Sequence, residues 1–304
     1  MSEPRRYAVL EDRGILAVGG EDRVQFLQGL ISNDVTKAGP GRALYAAFLT
    51  PQGKYLHDFF VFDRAGEFLL DCERSRLADL TKRFSIYKLR AKVTIADRSD
   101  AFQVVALFGT DWRKGLGLGA GAGQAAAFAG GVVAVDPRLA DAGGRAVLPR
   151  GTAEAVLRKV GLEKATAAEY DRLRLSLGLP DGSRDLVVDK SILLESGFDE
   201  LNGVDWKKGC YMGQELTART KYRGLVKKRL VPVVLDGPPP QPGTPVMLAG
   251  REAGEMRSAT ATEKGGIGLA LLRLDSLAEA AQAEGGLQAA GVGVTPAKAP
   301  WMAF

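Results

Sequence analysis

Apolar positions change period several times along the first third of the chain. Residues 7–10 and 14–18 are continuous apolar runs of strand length, after which Val24, Leu27 and Ile31, with Phe26 and Leu30 beside them, recur at helical spacing. Asp22 places an acid in the first turn and Asn33-Asp34 supplies a stop, so the pattern predicts a short amphipathic helix. The runs 43–49, 56–62 and 68–72 are apolar, β-branched or aromatic. Pro51-Gln52-Gly53 and Arg64-Ala65-Gly66 punctuate them, which predicts three adjacent antiparallel strands. Helical spacing returns at Leu77, Leu80, Phe84 and Tyr87, and strand character at 92–95 and 103–108.

From 115 to 131, seven of seventeen residues are glycine with alanines between, which reads as an irregular excursion. It is no phosphate loop, because Gly115, Gly117 and Gly119 lack a following Lys-Ser/Thr. Two more helical patterns, 151–160 and 166–177, follow, and Gly178-Leu179-Pro180-Asp181-Gly182 ends the second. A proline run, Pro238-Pro239-Pro240, precedes short strands such as 245–248 and 267–272, so residues from about 230 to 304 form a small β-rich domain. Helices and strands mix without strict alternation, which favours an α+β class over a doubly wound parallel sheet.

A length of 304 residues suggests two domains or three small ones, and 46% hydrophobic with 25% charged residues is ordinary for a folded globular chain. No stretch approaches about 18 to 20 uncharged apolar residues, and residues 1–10 lack a signal-peptide apolar region, so a cytoplasmic protein without a membrane span is expected. Cys72 and Cys210 are the only cysteines, too few and too far apart for a disulfide framework. The net charge of +5 is concentrated in two segments. One carries Lys82, Arg83, Lys88, Arg90, Lys92 and Arg98; the other carries Lys207, Lys208, Arg219, Lys221, Arg223 and Lys227 to Arg229. Two solvated faces and an anion-binding surface explain this about equally well.

The residue inventory narrows the chemistry. With one histidine, His57, and two cysteines, the chain cannot build a standard structural zinc site, and it cannot hold an iron-sulfur cluster by itself. Any cluster or metal must be shared or transient. Cys210 follows Lys207 and Lys208 in a turn bounded by Gly209 and Gly213, a setting of cations and backbone N–H groups that suits a thiolate used for metal ligation or attack. A small buried hydrophobe in a turn is the plainer alternative.

The run Lys207-Lys208-Gly209-Cys210-Tyr211-Met212-Gly213-Gln214-Glu215 resembles the K-G-C-Y-x-G-Q-E signature of YgfZ-type proteins, relatives of the folate-dependent glycine-cleavage T-protein. The resemblance extends to Phe26-Leu27-Gln28-Gly29-Leu30-Ile31-Ser32-Asn33-Asp34 near the start and to Gly254-Glu255-Met256-Arg257-Ser258 near the end. Gln214-Glu215-Leu216-Thr217-Ala218-Arg219-Thr220 is most similar to the branch of the mitochondrial iron-sulfur assembly factor, which helps mature tetranuclear iron-sulfur proteins.

The resemblance implies a three-domain, ring-like T-protein fold with a C-terminal β-barrel, divided at 1–110, 111–229 and 230–304. It implies tetrahydrofolate or a derivative as ligand, and a role in iron-sulfur cluster assembly or repair. Cys210 and Lys208 fall on the motif positions tied to that function, with Cys210 as a shared ligand of a transient cluster. Tyr211, Gln214 and Arg219, from the same run, are expected at the cofactor, and Glu195 falls near the glutamate that T-proteins set against the pterin. A carboxylate suits an amino group beside a ring N–H. The expected partners are iron-sulfur assembly proteins or client enzymes. The alternatives are a tetrahydrofolate-dependent aminomethyl transferase, for which Asp79 is the nearest candidate aspartate, and a factor supporting tRNA modification that meets RNA through the basic segments.

Overall fold

Residues 4–280 and 286–304 are described by the structure, a computed structural model. The chain divides into two compact units. The first takes in the chain to Pro51, Leu56–Tyr170 and Leu201–Gln214; the second takes in Gln52–Tyr55, Asp171–Glu200 and Glu215–Phe304.

The first unit opens with β1 (Arg6–Val9), β2 (Arg13–Gly19), the short helix α1 (Arg23–Gln28) and β3 (Leu44–Leu49). Next come β4 (Tyr55–Arg64), β5 (Glu67–Glu73), α2 (Leu77–Lys88), β6 (Thr94–Asp97) and β7 (Phe102–Phe108). Then β8 (Ala125–Phe128), β9 (Gly131–Val135), β10 (Gly144–Pro149), α3 (Ala153–Lys159) and the two-residue β11 (Glu163–Lys164) complete it. One sheet has the order β3-β4-β5-β2-β6 and the other β11-β1-β7-β10-β9-β8. The predicted elements are present, with two differences. The glycine-rich stretch is not wholly irregular: its alanines pair as β8 with β9, turned at Ala129 (φ 48) and Gly130 (φ 78), because a ladder needs backbone partners more than branched side chains. The opening helix ends at Gln28 rather than at Asn33-Asp34. Ile31 instead bridges to Phe48, and the Ser32 N–H donates to Ala47 O at 2.8 Å, so this segment leaves the helix to join a strand.

Phe84 on α2 gathers the apolar face of the first sheet. Its ring meets Phe26 of α1 at 5.7 Å, Phe48 of β3 at 5.2 Å and Phe59 of β4 at 6.2 Å, all near edge-to-face, the arrangement that aromatic quadrupoles favour. Both helices are thereby fixed on one sheet face. Buried charge ties the two sheets together: Asp71 on β5 accepts from Arg13 Nε at 2.6 Å and from Arg145 Nε, on β10, at 2.7 Å. The Arg145 guanidinium also lies 4.0 Å over the Phe60 ring. Two cations on one carboxylate, all almost fully buried, make this a joint that tolerates no single deletion.

In the second unit, α4 (Ala167–Ser176) contributes Arg174, which donates to Asp171 at 2.6 Å, Asp185 at 2.8 Å and Ser258 Oγ at 2.8 Å. The expected stop after α4 is present, with Gly178 at φ 74. After α5 (Gln214–Tyr222) come β12 (Lys228–Leu235), β13 (Pro245–Leu248), β14 (Arg251–Thr262), β15 (Gly265–Arg273), α6 (Leu274–Ala280), β16 (Leu287–Ala289) and β17 (Val292–Pro296). The six strands close into a barrel in the order β12-β15-β14-β13-β16-β17, with β17 paired back onto β12. Val231, Val233 and Leu235, spaced by two, point into its core with Val246, Leu248, Met256 and Leu272. At Gly254 (φ 158) a Cβ would stand 2.1 Å from Leu271 O, so the β13–β14 bulge needs glycine there. No helix among the described residues is long and apolar enough to cross a membrane.

Candidate functional site

The motif segment is fixed to the first sheet before the cysteine is reached. Ser32 Oγ accepts from Ala47 N–H at 2.8 Å and donates to Gly203 O at 2.6 Å, while Asn33 Nδ2 donates to Tyr45 O and to Asn202 O, both at 2.7 Å. Asp205 then turns the chain. One carboxylate oxygen accepts from the N–H groups of Lys207 at 2.8 Å and Lys208 at 3.2 Å, and the other pairs with Lys37. Burial alone would raise the Asp205 carboxyl, but Lys37 and the two N–H groups hold it below the usual carboxylate range.

Lys208 points inward. Its ammonium donates to Gln28 O at 2.9 Å, Ile31 O at 2.6 Å and Asn33 O at 2.7 Å, where α1 ends. Gln28 O is one of the carbonyls a helix leaves unpaired at its partially negative end, and Ile31 O and Asn33 O belong to the segment that follows it, so one cation with three donors ties the helix end to that segment. Burial pushes the Lys208 ammonium down to about 8, against the pull of Asp34 and Asp205. Three acceptors favour the charged form, since a neutral amine donates only twice. The ammonium also lies 5.0 Å from the centre of the buried Tyr211 ring.

Beyond the cysteine the chain is fixed again. Met212 N–H donates to Gly29 O at 3.0 Å, Gly213 takes φ 78, and Gln214 Oε1 accepts from Tyr211 N–H at 3.1 Å as α5 begins. Gly213 thus has the left-handed torsion that glycine permits, whereas a Cβ at Gly209 would meet only open space. Cys210 stands exposed between these anchors as a free thiol. Cys72 is its opposite: burial pushes that thiol up to about 12, and its Sγ rests 3.7 Å from Gly14 O inside the first unit.

Of the six residues expected at the site, Lys208, Cys210, Tyr211 and Gln214 share this loop. Arg219 and Glu195 belong to the second unit. Arg219 is exposed on α5. Glu195 sits half-buried in the 3₁₀ turn Leu193–Ser196, and burial raises its carboxyl although Lys228, Lys54 and Arg257 pull it down. Among the described residues no side chain donates a hydrogen bond to that carboxylate. Nearby, Arg257 donates to Glu255 at 2.6 Å, but its Nε is buried without an acceptor.

Asp79 is placed differently from a free catalytic carboxylate. Its Oδ2 meets His57 Nε2 and Arg83 Nε, each at 2.8 Å, and Arg76 lies 3.6 Å away. Burial alone would raise Asp79, but Arg83 and His57 hold it below the usual range. The residues that sequence reasoning missed are the carbonyl acceptors at the end of α1. The only signal for them was the motif lysine itself, because backbone carbonyls leave no mark in a sequence. Among the described residues no cluster of three or more His, Cys, Asp or Glu side chains is placed to hold a metal ion.

Comparison with known proteins follows the same division. Residues 12–117 match the GCVT N-terminal domain and residues 227–304 match the CAF17 C-terminal beta-barrel domain. The crystal structure of glycine cleavage system aminomethyltransferase T from Bartonella henselae has the same fold, with a TM-score of 0.78 over 99% of this chain and 87% of that one. At 16% identity that likeness speaks for the fold alone. The Mus musculus protein named iron-sulfur cluster assembly factor IBA57, mitochondrial, is 34% identical over 301 residues, covering 88% of this chain and 77% of the mouse protein. The Homo sapiens protein of that name is 34% identical over 281 residues, covering 86% and 76%. These names correct the expectation of a cytoplasmic protein: the absence of a signal peptide in the first residues was no guide to location, since both relatives are mitochondrial by name. With a third of positions identical across most of both chains, the protein belongs to the family of the iron-sulfur cluster assembly factor IBA57.

Proposed function

We propose that the protein assists iron-sulfur cluster assembly or repair on client proteins, with Cys210 supplying one thiolate to a cluster whose other ligands a partner brings. The observation that carries this reading is the placement of Cys210: exposed, free, and held between Lys208 and Met212, both hydrogen-bonded to the end of α1. One ligand from a fixed loop is too few to keep a cluster and enough to complete one. Ligation needs the thiolate, so iron displaces a proton from Sγ. The relatives' names support the setting.

A reduced folate suits the second unit. Among the described residues no side chain donates to the Glu195 oxygens and Arg257 Nε is a buried donor without an acceptor, the complementary pair that a pterin with both donors and acceptors would satisfy. Glu195 would hold its amino and ring N–H groups, and Arg257 an acceptor atom. When bound, the folate supplies one-carbon or electron-transfer chemistry. Aminomethyl transfer through Asp79 has less support, because that carboxylate is already shared by His57 and Arg83.

The test is complementation of a deletion strain, with cluster-dependent enzymes assayed. Cys210→Ser should leave their activity near the deletion level, and Glu195→Ala should weaken tetrahydrofolate binding at least tenfold. Full rescue by Cys210→Ser sinks the role given to the thiol.

A further inference from the structure

The end of α1 that holds the Cys210 loop also forms one wall of a cleft of about 440 Å³, whose other wall is the last turn of α2 and the residues after it. Phe26, Gly29 and Leu30 face Tyr87, Leu89 and Arg90 across it. Gly29 belongs to both features, because its carbonyl receives the Met212 N–H at 3.0 Å. Around the cleft an apolar surface is left in water: Ile86 is 61% exposed, Tyr87 38% and Leu89 87%. Exposed apolar side chains in a group mark contact surfaces.

Leu89 is also held in a torsion, φ 46 and ψ −111, that a side chain with a Cβ rarely adopts. The chain keeps that unfavourable torsion at a leucine turned outward, where glycine would serve the turn better. Outliers of this kind cluster at active sites, ligand clamps and switch regions.

Charge on the rim has one sign left over. Glu21 pairs with Lys92 at 2.8 Å, and Asp22, which accepts the backbone N–H of Lys92 at 2.7 Å, is the one carboxylate left without a cation and is outnumbered. Among the described residues, Lys82, Lys88 and Arg90 have no acidic partner. An acidic surface with an apolar side chain at its centre complements this patch.

We propose that the cleft is the docking site for the partner protein, which inserts an apolar side chain from an acidic surface and is thereby held beside Cys210. This rests on the reading that a partner completes the cluster. It adds where that partner binds and what chemistry its surface carries.

The experiment uses the full chain in two arms. In the first, a fluorescent synthetic helical peptide of glutamate and leucine is titrated against the unaltered protein, Leu89→Gly, the double variant Lys88→Glu with Arg90→Glu, and Cys210→Ser. A lysine-leucine peptide is the control. In the second, the same variants complement the deletion strain. The acidic peptide should bind the unaltered protein and Cys210→Ser alike, and each cleft variant at least tenfold more weakly. Cluster-dependent enzyme activity should fall in all three variants. Leu89→Gly should melt at or above the unaltered protein, since glycine relieves the torsion, so its loss of binding is not loss of fold. Equal binding of both peptides, or cleft variants that restore enzyme activity while Cys210→Ser does not, overturns the docking site and leaves the function standing. If Cys210→Ser restores activity and the cleft variants do not, the role of the thiol fails and the docking site survives. Self-association that Leu89→Gly abolishes would make the occupant a second copy and overturn the proposal.

Discussion

His57 Nε2 and Arg83 Nε both stand 2.8 Å from the same oxygen of Asp79, so the carboxylate that could hold a protonated imidazole is already engaged by a guanidinium. Burial and Arg76 push His57 down to about 4. Between that value and the ordinary 6.5 the unfolded chain binds a proton that the folded chain does not. Stability therefore rises with pH across this window, and about 3 kcal/mol is lost on acidification through it. Asp79, held low, acts in the same direction: its contribution is present at neutral pH and lost as pH falls through its folded value. As the only histidine, His57 gives one imidazole signal in a proton NMR titration, and a midpoint near 6.5 would refute this account.

Lys208→Met should destabilise the first unit. Three carbonyls at the end of α1 lose their donor, and each buried acceptor left unpaired costs about 1 kcal/mol or more, so urea unfolding should show a loss of about 3 kcal/mol. Lys208→Arg should recover little, because a planar fork does not match three converging carbonyls. In Lys208→Met the amide of Met212 should exchange faster with deuterium. A variant as stable as the original would show that the lysine serves something other than this clamp.

Glu195→Gln separates stability from ligand binding. The carboxyl is raised by burial, so the folded chain holds its proton to higher pH than the unfolded chain, and the stability this gives is complete at low pH and lost as pH rises through the folded value. At pH 7 the charge is therefore a net cost, and Glu195→Gln should raise Tm while weakening tetrahydrofolate binding about tenfold, near 1.4 kcal/mol. A lower Tm at pH 7, or unchanged folate affinity, contradicts one half or the other.

The two thiols should react in sequence with iodoacetamide. Cys210 is exposed and modified in the native protein; Cys72, buried and pushed up to about 12, reacts only on unfolding. Intact mass after native labelling should show one adduct, on the peptide carrying Cys210. Two native adducts would mean that the first sheet opens around Cys72.

The parts of the fold legible in the sequence are those whose residues report their own burial. The runs at 43–49, 56–62 and 68–72 became β3, β4 and β5 because a strand buried on both faces is apolar throughout. Helix α2 followed from Leu77, Leu80 and Phe84, all buried on one face. The end of α1 was not legible, since what stops it is a pairing of Ile31 and Ser32 with β3 and a lysine 180 positions from Gln28. In the β8–β9 hairpin, β8 was hidden because its alanines carry little strand preference, whereas Val132, Val133 and Val135 of β9 do carry it, so their strand is legible. At the site, the motif pointed to Cys210 and Lys208 together, but only the structure separates them: one faces solvent and the other backbone.

The double anchoring of the loop also bears on speed. A thiol on a floppy span would have to be ordered each time a partner arrived, a cost of roughly 1 to 2 kcal/mol for each residue fixed. Here folding has already met that cost, so capture of a cluster in the proposed role would not be slowed by a search for the loop conformation. In the proposed role, release would depend on breaking the bond between iron and Cys210 Sγ rather than on unwinding the loop, and the loop would keep one shape from each delivery to the next.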